Sequence, residues 1–188
     1  MEIISYQKKQ IQDLVDLLLG LKESNLTQIY SLSERIINLF KNGGKVAIVG
    51  NGGSAAEASH IATEFLSKCL IDHFPLPVIC LNDSSTFITA SANDYGFENS
   101  FSRLVEAYLQ PNDILICLST SGRSKNILNC LNTAKKNNCY TVLWTGKSKV
   151  DISCDEIWYV DSTVTSRIQE IHLFFGHLIA EIVEKYLL

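Results

Sequence analysis

Apolar positions along this chain change period once. Over residues 6–23, Ile11, Leu14, Val15, Leu18 and Leu19 share one helical stripe, and over 26–41 Ile29, Leu32, Ile36, Ile37 and Phe40 repeat it. Asn42-Gly43-Gly44 follows as a helix stop. From residue 45 onward, short apolar runs at 45–49, 77–81, 114–118, 140–145 and 156–160 alternate with helical patterns at 54–68, at 84–93 with 97–109, and at 124–138. A last helix is predicted over 166–187. Strands separated by helices predict right-handed βαβ units and a parallel sheet covered on both faces. With no repeat and no low-complexity linker, the 188 residues read as one α/β domain. Residues 1–42 precede the first strand and so predict a helical extension. Its apolar stripes need a partner, expected to be another copy of the chain.

Two strand-like runs end in turns of small polar residues that lead into helices: KVAIVGNGGSAAEASH (45–60) and ILICLSTSGRSKNIL (114–128). Such a turn aims backbone N–H groups, the positive end of a helix dipole and hydroxyls at one anion. Ser119, Thr120, Ser121 and Ser124 are more hydroxyls than a single N-cap requires. In open α/β folds ligands bind beyond the carboxyl ends of the strands. Two such turns at that edge predict a site for a phosphorylated small molecule. The spacing excludes the GxxxxGK[ST] phosphate loop, and GNGGSA lacks the third glycine of a dinucleotide-binding turn.

Composition narrows the class without changing it. The chain is 46% apolar and 19% charged, an ordinary globular balance. Its net charge of −4, with Lys and Arg scattered, argues against nucleic acid as a partner. No basic segment precedes an apolar run at the start, and no run approaches membrane-spanning length. A cytoplasmic protein with no membrane partner is expected. Cys69, Cys80, Cys117, Cys130, Cys139 and Cys154 are far apart and form no CxxC pair, so reduced thiols are expected in that compartment. Cys80 and Cys117 lie in apolar runs, where a thiol behaves as a small buried hydrophobe.

The residues that carry chemistry sit on two predicted helices and a connector. His60 and Glu64 are four apart, about 40° around the helix that follows the first turn. They read either as a solvated surface pair or as a pair beside the bound ligand. The terminal helix carries Gln169, Glu170, His172 and His177. Glu170 is closest in phase to His177, whereas Gln169 is about 80° away. On pattern alone, His177 between Gly176 and Leu178 reads as a hydrogen-bonded core histidine. A three- or four-ligand zinc site from these positions needs the fold or an oligomer to gather them. SANDYGFE (91–98) predicts a loop in which Asn93 and Asp94 either cap a helix or bind sugar hydroxyls.

In order, VGNGGSAAEASHIATEF, SANDYGFE, LSTSGRS and TSRIQEIH…GH resemble the phosphoheptose isomerases, members of the sugar isomerase (SIS) domain superfamily. The likeness runs over nearly the whole chain, including the leading helices. It implies a flavodoxin-like three-layer α/β sandwich, with a five-stranded parallel sheet preceded by two helices. It also implies a homotetramer with active sites at subunit interfaces. The reaction implied is sedoheptulose 7-phosphate to D-glycero-D-manno-heptose 7-phosphate, the first step towards nucleotide-activated heptose for lipopolysaccharide or capsule. On the same resemblance, Ser54, Ser119, Thr120, Ser121 and Ser124 contact the phosphate. Asn51, Gly52, Gly53, Glu64, Asn93, Asp94 and Gln169 contact the sugar. One Zn²⁺ per subunit is implied on His60, Glu64, Gln169 and His177, with Glu64 and His177 as the acid/base pair. The resemblance thus selects Gln169 where helical phase selects Glu170. Arg123 and Lys125 stand where relatives usually have Asn and Pro, and Ser166 stands where some have an acidic residue.

Isomerisation between aldose and ketose needs a base for a carbon-bound proton and an acid for the oxygens. Glu64 is expected to shuttle the carbon-bound proton through a cis-enediol, and His177 to serve oxygen. Two alternatives belong to other classes. One is a non-catalytic SIS-domain regulator that binds a replication-initiator protein; such regulators lack the equivalents of Glu64 and His177. The other is an isomerase or sensor for a different sugar phosphate.

Overall fold

The computed structural model describes residues 2–188. Helices α1 (Glu2–Leu19) and α2 (Glu23–Lys41) precede β1 (Val46–Gly50), α3 (Gly53–Leu66), β2 (Val78–Cys80) and α4 (Ser85–Tyr95). A 3-10 turn at Phe97–Asn99 leads to α5 (Ser100–Tyr108), β3 (Ile114–Ser119), α6 (Lys125–Lys136), β4 (Tyr140–Thr145), β5 (Glu156–Tyr159) and α7 (Thr165–Leu187). The five strands form one parallel sheet in the order β2-β1-β3-β4-β5. This is the expected flavodoxin-like sandwich.

Alternate strand residues feed two cores. Ile48, Ile116, Leu118, Val142 and Trp144 pack with α2, α3 and α7, while Ala47, Val49, Leu115, Cys117 and Leu143 pack with α5 and α6. Burial on both faces is why β1 and β3 read as near-unbroken apolar runs. Trp144 stacks on Trp158 with centroids 5.4 Å apart, and Phe175 of α7 meets both edge-on. Edge strand β2 is shorter than predicted because Pro77 precedes it and has no N–H to donate.

The leading helices differ in detail from expectation. Helix α1 ends at Leu19, and the Asn25 side chain accepts the Lys22 N–H at 3.0 Å, closing the turn into α2 earlier than the apolar spacing suggests. Leu14, Leu17 and Leu18 pack on the core, but Ile11 and Leu19 remain 65% and 80% exposed with Val15 beside them. The single stripe is thus two faces, one inward and one outward. Arg167 of α7 donates to the Gln10 carbonyl at 2.5 Å and fixes α1 against the terminal helix. At the other connector, Gly96 adopts φ 83° and ends α4. Asn93 and Asp94 therefore lie on the last helical turn and not in a loop.

No helix among the described residues is long and apolar enough to cross a membrane. All six cysteines are free thiols, and burial pushes Cys80 up to about 12 and Cys154 to about 11.

The core histidine is His172, not His177. His172 is fully buried beside Trp144, and among the described residues neither ring nitrogen finds a hydrogen bond of normal geometry. Burial pushes it down from 6.5 to about 4, outweighing the opposing Thr145 backbone. A histidine held neutral in the fold contributes its full stability above the unfolded value, and the contribution disappears as pH falls through the folded one. The expected loss between 6.5 and about 4 is on the order of 3 kcal/mol. Melting curves taken across that range should flatten in His172→Phe relative to wild type. Equal slopes in both proteins would assign acid instability to another group.

Candidate active site

Strands β1 and β3 are neighbours, and the strand order reverses between them. The helices that follow them, α3 and α6, pack on opposite faces of the sheet. That divergence opens the ligand crevice of this fold class, and both serine turns border it. The first turn is held from the side by Asn82, whose amide donates to the Gly50 carbonyl at 2.8 Å and accepts the Gly50 N–H at 3.0 Å. Gly52 then takes φ 55° to start α3, placing Ser54 buried in its first turn.

The second turn carries hydroxyls with little structural employment. Ser119 is 5% exposed at the end of β3, and its Oγ has no hydrogen-bond partner among the described residues. Ser124 is the N-cap of α6, yet its side chain makes no capping bond. Ser121 Oγ accepts only at long range, from the Arg123 N–H at 3.2 Å. The Thr120 carbonyl accepts the Gly146 N–H at 3.1 Å and anchors the loop to β4. Uncommitted hydroxyls beside the open N–H groups of two helix starts form an anion-accepting surface.

The titratable cluster arises where α3 meets α7. A Cβ on Gly176 would stand 2.4 Å from Ile61 Cγ1, so only glycine lets the two helices approach this closely. The neighbouring His60 and His177 rings then meet edge-to-face, with their Nε2 atoms 2.9 Å apart. Glu64 Oε1 lies 3.2 Å from His60 Nε2. Ligand atoms of all three residues fall within 4.8 Å of one another. Two imidazole nitrogens and a carboxylate oxygen are a donor set that suits zinc. The His60 side chain is 49% exposed, so the group opens to solvent.

Gln169 reaches the start of α3. Its Nε2 lies where a Cβ on Gly53 would be 2.3 Å away, and it donates to Ser54 Oγ at 3.5 Å. His177 follows eight residues later, about 12 Å along α7. Gln169 therefore touches the first serine turn. Glu170, favoured by helical phase, pairs with Arg167 instead. Asn93 and Asp94 are exposed and bonded to each other at 2.9 Å. Arg123 and Lys125 are exposed at the rim of the second turn.

Three residues near the site carry no sequence signal. Glu57 follows Ser54 by one turn, and neither carboxylate oxygen makes a hydrogen bond of normal geometry. Burial pushes it up to about 7 against the opposing Ser54 hydroxyl. Asn82 and Asn126, which support the two turns, depend on strand adjacency that spacing does not reveal.

The SIS domain family matches residues 9–146. The chain is 40% identical over 183 residues to a phosphoheptose isomerase of Trichlorobacter lovleyi, covering 96% of this chain and 93% of that one. It is 44% identical over 170 residues to phosphoheptose isomerase 2 of Campylobacter jejuni, covering 89% and 85%. Among solved structures, a phosphoheptose isomerase from Francisella tularensis superposes with a TM-score of 0.87 at 30% identity, covering 98% of this chain and 97% of that one. With its crevice, its uncommitted serines and these relatives, the chain belongs to the phosphoheptose isomerases of the SIS domain family and is a phosphosugar isomerase.

Proposed function

We propose that this enzyme converts D-sedoheptulose 7-phosphate to D-glycero-D-manno-heptose 7-phosphate through an enediol. The step would open the supply of nucleotide-activated heptose for lipopolysaccharide or capsule. The observation that carries the reading is the convergence of His60, Glu64 and His177 within 4.8 Å, on helices that start or pass beside the serine turns. Ser54, Ser119, Thr120, Ser121 and Ser124 hold the phosphate. Asn51, Gly52, Gly53, Asn93, Asp94 and Gln169 address the sugar.

Glu64 takes the proton from one carbon and returns it to its neighbour. His177 moves the matching proton between the carbonyl and hydroxyl oxygens, so no proton is gained or lost overall. A positioned acid or base of this kind contributes about 10²–10⁴-fold. His60, Glu64 and His177 would hold one Zn²⁺ per subunit; Gln169 joins that set on the resemblance alone. When bound, zinc supplies Lewis-acid polarisation of the carbonyl.

The whole chain acts as one SIS domain in the cytoplasm, with residues 1–42 serving assembly into a homotetramer whose sites lie at subunit interfaces. The outward row of Ile4, Ile11, Val15 and Leu19 on α1 supports that use. The regulator alternative finds no support, because Glu64 and His177 are both present and adjacent to His60.

The test is incubation of purified protein with five-, six- and seven-carbon ketose phosphates, with aldose followed by NMR. Turnover of the seven-carbon ketose is expected. Turnover confined to a shorter ketose would reassign the substrate and leave the reaction class intact.

A further inference from the structure

Asn51 and Asn126 hold each other across the crevice. Asn51 Nδ2 donates to Asn126 Oδ1 at 2.9 Å, and Asn126 Nδ2 donates to Asn51 Oδ1 at 2.8 Å. The two residues are 75 apart in the chain. One directly follows β1, and the other is the second residue of α6. Asn126 is 3% exposed, and its Oδ1 also accepts the Ile127 N–H at 3.0 Å. Its carboxamide is therefore locked to the start of α6 as well as to the opposite turn.

This pairing lies just past the last paired residues of β1 and β3, Gly50 and Leu118. Beyond β1 and β3 the chain departs towards opposite faces, and among the described residues no backbone hydrogen bond joins the two turns. A dianion held from both sides needs its donors at a set separation before it binds. Otherwise the ligand must order the turns itself, and affinity falls. The reciprocal amide bridge supplies that separation. It also occupies the Asn51 carboxamide, which a sugar hydroxyl would meet already committed to Asn126.

We propose that Asn51 and Asn126 form a clasp setting the distance between the two halves of the phosphate site. Asn126 is then a positioning residue, and the Asn51 side chain acts through it, which leaves the Asn51 main chain to address the sugar. The inference rests on the reading that both serine turns share one phosphate.

The experiment measures affinity for inorganic phosphate, and KM and kcat for the sugar phosphate, in Asn51→Ala, Asn126→Ala and the double variant. Melting curves accompany each as a check of folding. Each single variant should weaken inorganic phosphate by about tenfold. The double variant should be no weaker than either single one, because the pair acts as a unit. KM should rise in parallel while kcat moves less. Additive losses, or unchanged phosphate affinity in Asn126→Ala, overturn the clasp. So does an Asn51→Ala variant that raises KM while binding inorganic phosphate normally, since that marks a sugar contact. Asn51 is only half-buried, so Asn51→Ala decides the matter alone if Asn126→Ala does not fold. Ser121→Ala separates the underlying reading: unchanged phosphate affinity there removes the shared phosphate site, and the clasp with it.

Discussion

Ser119→Ala combined with Ser121→Ala is expected to raise KM by about 10²- to 10⁴-fold, because two donors to a phosphate dianion are lost at roughly 1.5–3 kcal/mol each. The same change should not weaken the folded protein. Ser119 Oγ is buried with no hydrogen-bond partner among the described residues, so its removal costs the fold no hydrogen bond within the protein. Ser121 Oγ makes one long contact in an exposed turn. Melting temperature should therefore hold while binding collapses, unlike the loss a structural serine would produce. Titration with the sugar phosphate and a melt on the same sample check both halves. An unchanged KM would move the phosphate away from the second turn.

The second large effect concerns turnover. Glu64→Gln should lower isomerisation by at least about 10²-fold, roughly 2.7 kcal/mol of barrier, with sugar-phosphate binding near wild type. The substitution is nearly isosteric on an α-helix and leaves the serine turns untouched. It removes the carboxylate that must accept a carbon-bound proton. Because Glu64 also lies 3.2 Å from His60 Nε2 in the donor cluster, metal content has to be measured on the same preparation. Lost turnover with zinc content retained assigns the base to Glu64. Normal turnover would leave the reaction standing and require another base, for which buried Glu57, pushed up to about 7, is the nearest carboxylate along α3.

The sheet was readable from residue order because its cause is local. The central strands β1 and β3 bury both faces, so VAIVG and ILICLS announce themselves as apolar runs, and the crossover rule arranges them as a parallel sheet. The serine turns were equally readable, since strand, turn and helix start are contiguous. Geometry within one helix was readable in part. His60 and Glu64 are one turn apart and do meet. Helical phase, however, favoured Glu170 over Gln169, because phase says which residues share a face and not which face the sheet covers. Glu170 turned to Arg167, and Gln169 turned to Gly53.

Residue order by itself therefore determined the fold class, the crevice edge and the two serine turns that border it, all of which follow from patterns a few residues long. Tertiary structure alone decided which histidine is buried and which joins the cluster with His60 and Glu64. His172 and His177 lie five residues apart on α7, about 140° around its axis, and only the packing of that helix on Trp144 buries the first and frees the second. It likewise decided that His60 meets His177 across 117 residues, because Gly176 has no side chain to keep α3 away. The Asn51–Asn126 pair exists because β1 and β3 are neighbours in the sheet though not in the chain, and adjacency of that kind is a property of the assembled fold.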